Sequence, residues 1–415
     1  MSGILASRTA VNMPGGGALI VGAGVSGMRV AEGLRREGYE GPVTILGAER
    51  HLPYDRPPLS KHVLTGELKP TVYHQQSYFD NLGVVVRTGV RVVSVDVDSR
   101  RVSIYDGSGF DSLPFDALVV ASGARPRRLP CAVPAAGVHV VRTAEDALGV
   151  RAALLTASRV VVVGGGFIGA EVASSARSLG LEVTVVEAGA APMERAIGPV
   201  MARFLGGLHE LNGVTLRSGV GVTGFVGSDR VTGVLLDDGS ALAADVVIVG
   251  VGVIPETDWL SGSSVPVGNG VMCDEYLRAG SNFVVGVGDA VSWPNCAMRG
   301  VRTRSQQWTT ASDQGSYAAQ MLVRGVEETR PFGSEMYFWS DQYGVKIQGV
   351  GELSGEVEVS EMRPDLSRVV SAYRQNRSIR GAVTVNAPKD FRRLREIVKN
   401  NDSWRECEFP SNSTI

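Results

Sequence analysis

The chain has 415 residues, too many for one ordinary hydrophobic core, so two or three domains are expected. Lysine plus arginine (41) nearly balances aspartate plus glutamate (43), which leaves a net charge of −2 and no basic footprint for a nucleic acid. The four cysteines, Cys131, Cys273, Cys296 and Cys407, are far apart, with no C-x-x-C for a zinc or dithiol site and no disulfide framework.

From the N-terminus, MSGILASRTAVNMPGGG has one basic residue and no long apolar run, so no signal peptide is expected. No apolar segment approaches the roughly 20 residues that span a bilayer. The expected location is cytoplasmic, with no membrane partner. The first apolar strand, Ala18 to Val21, runs into Gly22-Ala23-Gly24-Val25-Ser26-Gly27 and a helix from about Met28 to Arg36. A strand from Val43 to Leu46 follows and ends near Glu49. After a polar, proline-bearing stretch and some alternating segments, Asp116 to Ser122 reads as another buried strand. The same order then repeats: Val160 to Val163, the turn Gly164-Gly165-Gly166-Phe167-Ile168-Gly169, a helix through Leu179, and a strand Glu182 to Val186 ending at Glu187. Val246–Val251 and Val284–Val287 complete the valine-rich runs, which suit strands buried on both faces of a parallel sheet. A helix is expected from Trp308 to Val323. Beyond Pro331, short strands at Val345–Val350, Val357–Val359, Val369–Tyr373 and Ala382–Val385 precede one helix, Lys389–Lys399.

The expected fold class is therefore α/β, with two Rossmann-like dinucleotide-binding domains and a C-terminal α+β domain. The boundaries drawn are 14–125 with 252–330 for the first, discontinuous domain, 126–251 for the second and 331–415 for the third.

A lone G-x-G-x-x-G carries little weight. Here each turn follows a strand, opens a helix, and is answered by an acid about 20 residues on. Gly22 and Gly164 permit the tight turn, Gly24 and Gly166 let backbone approach a pyrophosphate, and Gly27 and Gly169 allow close helix–strand packing. The helix N-terminus offers unpaired N–H groups and the positive dipole end to the phosphates. Two such sites imply two dinucleotides. Glu187 would accept from ribose hydroxyls and repel a 2′-phosphate. Ala188-Gly189-Ala190 supplies no arginine for that phosphate, which favours NADH, although Arg195 is near.

Four further segments carry a family resemblance: Pro53-Tyr54-Asp55-Arg56-Pro57-Pro58-Leu59-Ser60-Lys61, Ala121-Ser122-Gly123-Ala124-Arg125-Pro126, Gly288-Asp289-Ala290 and Phe338-Trp339-Ser340-Asp341-Gln342-Tyr343-Gly344. With the glycine turns, they make the chain resemble the FAD-dependent NADH:ferredoxin reductases of monooxygenase and Rieske dioxygenase systems. The resemblance implies hydride transfer from NADH to FAD, then single-electron transfer to an iron–sulfur ferredoxin that supplies an oxygenase. It places Gly22, Gly24, Ser26, Gly27 and Glu49 on the FAD pyrophosphate and ribose. It places Arg56 and Lys61 by the flavin, Ala121, Gly123 and Arg125 on the pyrophosphate side, and Asp289 on the ribityl chain. Trp308 and Trp339 would sit near the isoalloxazine. Gly164, Gly166, Phe167, Ile168, Gly169, Glu171, Glu187, Arg195 and Gly252 would serve NADH, with Glu171 close to the nicotinamide amide and paired with Lys61. Many members carry a glutamate two residues before the tryptophan matched to Trp308; here Gln306 stands there.

Taken without the resemblance, Lys61 reads first as a solvated helix residue, and the alternatives are an exposed first-turn acid for Glu171 and core aromatics for the two tryptophans. No cysteine lies in Pro57–His62, which disfavours a thiol relay. An acidic ferredoxin would dock on a basic surface, for which Arg299, Arg302 and Arg304, or Arg392, Arg393, Arg395 and Lys399, are the candidates. An NADH oxidase or quinone reductase, an NADH-responsive regulatory flavoprotein, and either monomer or dimer stay open.

Overall fold

The computed structural model describes residues 15–376 and 378–400. The N-terminal stretch read for a signal peptide, apart from its last glycines, and Cys407 lie outside the described residues. The described residues form two compact units, 15–55 with 71–125 and 255–334, and 56–70 with 126–254 and 335–400. Residues 56–70, which carry Arg56 and Lys61, thus leave the first unit and belong to the second.

In the first unit, five parallel strands lie in the order Val284–Gly286, Ala117–Val120, Ala18–Val21, Val43–Gly47, Val84–Thr88. Ala18 sits opposite Val43 on one side and Ala117 on the other. Both central strands are buried along their whole length, which is why they read as unbroken apolar runs. Helix Val25–Arg36 packs on helix Trp308–Arg324. Small residues permit that approach: a Cβ on Gly315 would stand 2.4 Å from the Ser26 carbonyl.

In the second unit, a parallel sheet runs in the order Thr215–Ser218, Glu182–Glu187, Arg159–Val163, Val246–Val249, Val138–His139. The C-terminal segment is an antiparallel sheet in the order Phe338–Gln342, Val345–Gly351, Ser378–Val385, Val369–Gln375, Glu356–Met362. Helix Pro388–Asn400 lies on it through Phe391, Leu394 and Ile397.

Three helices have no counterpart among the expected elements, the short Gln76–Asn81 and two longer ones. Ala144–Leu154 is announced by a complete capping box of Thr143 and Asp146. Glu194–Leu211 is broken by Gly198 (φ 72°) before Pro199, which hid its periodicity. The strand Phe338–Gln342 likewise has no counterpart among the expected strands. The first glycine-turn helix starts at Val25 rather than Met28, because Gly24 is already its extended N-cap. The run Val246–Val251 is strand only to Val249. No helix among the described residues is long and apolar enough to cross a membrane.

Candidate functional site

Each glycine turn is shaped by its three glycines in turn. Gly22 and Gly164 have φ of 125° and 101°, in the region that side chains avoid. A Cβ on Gly27 would stand 2.1 Å from the Gly22 carbonyl oxygen, and one on Gly169 1.9 Å from that of Gly164. Gly24 and Gly166 are different: a Cβ on either meets nothing within 4 Å. They face open space at the start of a helix that has no side-chain cap and no acid in its first turn. The capped helix Ala144–Leu154, with two acids in its first turn, shows the usual solution. The open ends fit a phosphate, which would supply both the missing acceptor and the negative charge.

In the first unit Glu49 stands two residues beyond the end of strand Val43–Gly47 and accepts from the Tyr54 hydroxyl at 2.5 Å. Ser26 is buried beside Gly288, whose N–H donates to Gln314 Oε1 at 2.8 Å, and Asp289 follows in the same 3-10 turn. Ala121 is buried and Gly123 accepts from the Glu256 N–H. Arg125 is held by Glu256 and Asp258, at 3.2 and 2.9 Å.

Trp308 is the first residue of its helix, and its indole N–H donates to the Tyr73 hydroxyl at 2.7 Å. That hydroxyl donates in turn to Asp55 Oδ1 at 2.8 Å. Burial pushes the Tyr73 phenol well above its usual range, so it keeps its proton. Asp55 and Tyr73 flank the points where 56–70 leaves and re-enters this unit, and their backbones pair through Asp55 N–H to Thr71 O and Tyr73 N–H to Pro53 O. Neither residue was assigned a role from sequence; Asp55 lies inside the Pro53–Lys61 segment, whereas Tyr73 carries no local signal. Tyr73→Phe is expected to strip the indole of its acceptor, lowering stability by about 1 kcal/mol and changing Trp308 fluorescence. An unchanged emission spectrum would show that the hydroxyl does not hold the indole.

In the second unit Glu171 is 4% exposed, lies beyond the first turn of helix Phe167–Ser178, and is not a solvated acid. Lys61 is 9% exposed, with Nζ 3.1 Å from Glu171 Oε1 and 2.9 Å from Asp341 Oδ2. Asp341 Oδ1 then reaches Lys346 Nζ at 3.0 Å. Burial raises the Glu171 carboxyl above the ordinary range, against the opposing pull of Lys61 and two serine hydroxyls. Lys61 and Lys346 hold Asp341 below it, although its own partial burial pushes the other way.

Arg56 donates to the Arg142 carbonyl at 2.8 Å. Phe167 packs against Phe338, with ring centroids 4.8 Å apart, and Ile168 is exposed. Trp339 stacks on Tyr337, over which Arg395 lies. Both Glu187 oxygens accept backbone N–H bonds, from Gly165 and from Gly189, each at 2.7 Å. Arg195 and Gly252 are exposed.

Of the basic residues, Arg299, Arg302, Arg392, Arg393 and Lys399 are exposed and Arg304 is half-buried. Arg302 also carries structure, donating to the carbonyls of Cys273 and Ser292. Arg395 is paired with Glu335 at 2.6 Å.

Residues 18–315 match the pyridine nucleotide-disulphide oxidoreductase family, and residues 337–409 match the reductase C-terminal family. The chain is 35% identical to the ferredoxin–NAD(+) reductase component of the p-cumate 2,3-dioxygenase system of Pseudomonas putida, over 93% of this chain and 94% of the relative. It is 36% identical to rhodocoxin reductase of Rhodococcus erythropolis, over 92% and 88%. Among solved structures, the covalent putidaredoxin reductase–putidaredoxin complex matches with a TM-score of 0.87 and 31% identity, covering 94% of each chain. With two glycine-turn sheets, a C-terminal antiparallel sheet and relatives matched over nearly their full length, this chain belongs to the pyridine nucleotide-disulphide oxidoreductase family, among the ferredoxin–NAD(+) reductases.

Proposed function

We propose that the chain is an NADH-dependent, FAD-containing reductase that delivers electrons singly to an iron–sulfur ferredoxin, itself the donor to an oxygenase. The observation that carries this reading is the pair of glycine turns, each opening a helix with no side-chain cap and with open space at its second glycine. In this reading residues 14–125 and 252–330 hold FAD, and 126–251 hold the nicotinamide. When bound, FAD accepts two electrons from NADH and can release them one at a time.

The chain's own residues bind and orient. Gly22, Gly24 and Gly27, with Ser26 and Glu49, cradle the FAD pyrophosphate and ribose; Ala121, Gly123 and Arg125 lie on the pyrophosphate side, and Asp289 meets the ribityl chain. Gly164, Gly166 and Gly169 do the same for NADH, with Phe167, Ile168, Arg195 and Gly252 along it. Arg56 and Lys61 lie by the flavin, Glu171, paired with Lys61, lies close to the nicotinamide amide, and Trp308 and Trp339 are the aromatic contacts of the flavin.

Glu187 supports NADH over NADPH. Tied by two backbone amides, its carboxylate cannot swing aside for a 2′-phosphate, yet keeps lone pairs for ribose hydroxyls. A thiol relay through Cys273 has little support, because burial pushes its thiol up to about 12, and Pro57–His62 holds no cysteine. The exposed arginines are the docking surface for an acidic ferredoxin, and Arg302 contributes only the part of its guanidinium not spent on carbonyls.

The test is anaerobic NADH oxidation by the purified protein with and without a panel of ferredoxins. One ferredoxin should stimulate turnover strongly, its cluster bleaching in step, and NADPH should be a poor substitute. Fast oxygen or quinone reduction with no gain from any ferredoxin would favour the oxidase reading instead.

A further inference from the structure

The buried Glu171 carboxylate has more donors than its ion pair needs. Ser60 Oγ donates to Oε2 at 2.6 Å and Ser340 Oγ donates to Oε1 at 2.6 Å, in addition to Lys61 Nζ. Ser60 ends the 3-10 turn Pro57–Ser60 and is 2% exposed; Ser340 is central in strand Phe338–Gln342 and fully buried. Two residues along the strand, on the same face, buried Gln342 donates Nε2–H to Ser340 Oγ at 3.0 Å. That bond occupies the Ser340 oxygen and leaves its hydrogen for Glu171. From the other side, Ser175 Oγ donates to the Ser60 carbonyl at 2.9 Å and fixes the turn.

Three groups able to donate to one carboxyl suit the ionised form, which only accepts; the Lys61 ammonium has no lone pair, and a protonated carboxyl would have to give its hydrogen to a serine oxygen, costing that serine's own bond to it. The charged groups around it are Lys61 from the turn, Asp341 from the edge strand and Lys346 from the strand beside it, so the cluster holds two cations and two anions.

We propose that Ser60 and Ser340, the latter aimed by Gln342, are positioning residues that hold Glu171 as an anion beside Lys61. The inference rests on the proposed role of the Lys61–Glu171 pair at the nicotinamide, but its first readout does not.

That readout is the infrared carboxylic-acid band of Glu171 in the full chain, followed as pH falls and identified by its absence in Glu171→Gln. Ser60→Ala and Ser340→Cys are the main variants, the second because sulfur fills the space with a far weaker donor; Gln342→Leu removes the aim and keeps the hydroxyl. The band should appear at higher pH in each. The acid dissociation constant should fall by about tenfold or more for each lost hydroxyl and by less for Gln342→Leu. The pH profile of flavin reduction by NADH should move by the same amount. Wild-type titration in both serine variants, or a Glu171 already protonated at neutral pH in the wild type, would overturn the proposal. A moved band with an unmoved reduction profile supports the hydroxyls' role and counts against the pair's place at the nicotinamide.

Discussion

Lys61→Met is expected to destabilise the protein by about 3–5 kcal/mol at neutral pH, because it leaves a carboxylate without its cation in a site closed to water. Glu171 and Lys61 side chains are 6% and 10% exposed, so solvent screens the loss poorly. The sign of the pH dependence follows from Glu171. Burial raises its folded-state carboxyl above the ordinary value of 4.5. Its contribution to stability is therefore fully present below that unfolded value and lost as pH rises through the higher folded one. Removing Lys61 takes away a group that lowers the folded value, so the window extends further up. The gap between wild type and variant should thus be widest at neutral pH and shrink on acidification, as Glu171 takes up a proton. Urea unfolding midpoints over a series of pH values measure this directly. A gap independent of pH would mean that Lys61 acts through packing of its stem rather than through its charge. Double replacement with Glu171→Gln should recover part of the loss at neutral pH, since the unpaired charge is then gone.

The glycines of each turn should separate into two groups with opposite consequences. Gly27→Ala and Gly169→Ala drive a methyl to 2.1 and 1.9 Å from a backbone oxygen, so strand and helix must part. A cost of about 1–3 kcal/mol or more is expected, with cofactor binding lost as a consequence. Gly24→Ala and Gly166→Ala have ordinary φ of −90° and −69° and open space around the new methyl. Their unfolding midpoints should stay at the wild-type value. The methyl would instead stand where a pyrophosphate approaches the backbone. Gly24→Ala should purify with little flavin. Gly166→Ala should keep its flavin and show a KM for NADH raised roughly tenfold, equivalent to about 1.4 kcal/mol of binding. Full flavin content in Gly24→Ala would refute the assignment of the first turn to FAD.

The residues themselves determined the two parallel sheets, since valine runs such as Val160–Val163 have few other ways to be buried. They also determined the glycine turns, where φ and Cβ clearance are properties of a few consecutive residues. Where local signals are interrupted, the element is not legible in the sequence: Gly198 and Pro199 conceal the helix Glu194–Leu211. What the tertiary structure alone decided is the company each site residue keeps. Ser60 meets Glu171 across 111 positions, Ser340 meets it across 169, and Lys61 meets Asp341 across 280. The family resemblance pointed to the Lys61–Glu171 pair, but no period or spacing links the serines to it, because such contacts depend on how separate elements are brought together. The same holds for Trp308 and Tyr73, and for Arg302, where a charge that reads as free surface in the sequence is partly committed to backbone carbonyls. Spacing along the chain determined where a dinucleotide could be cradled; packing between distant segments decided which charges are buried beside one another and how they are held.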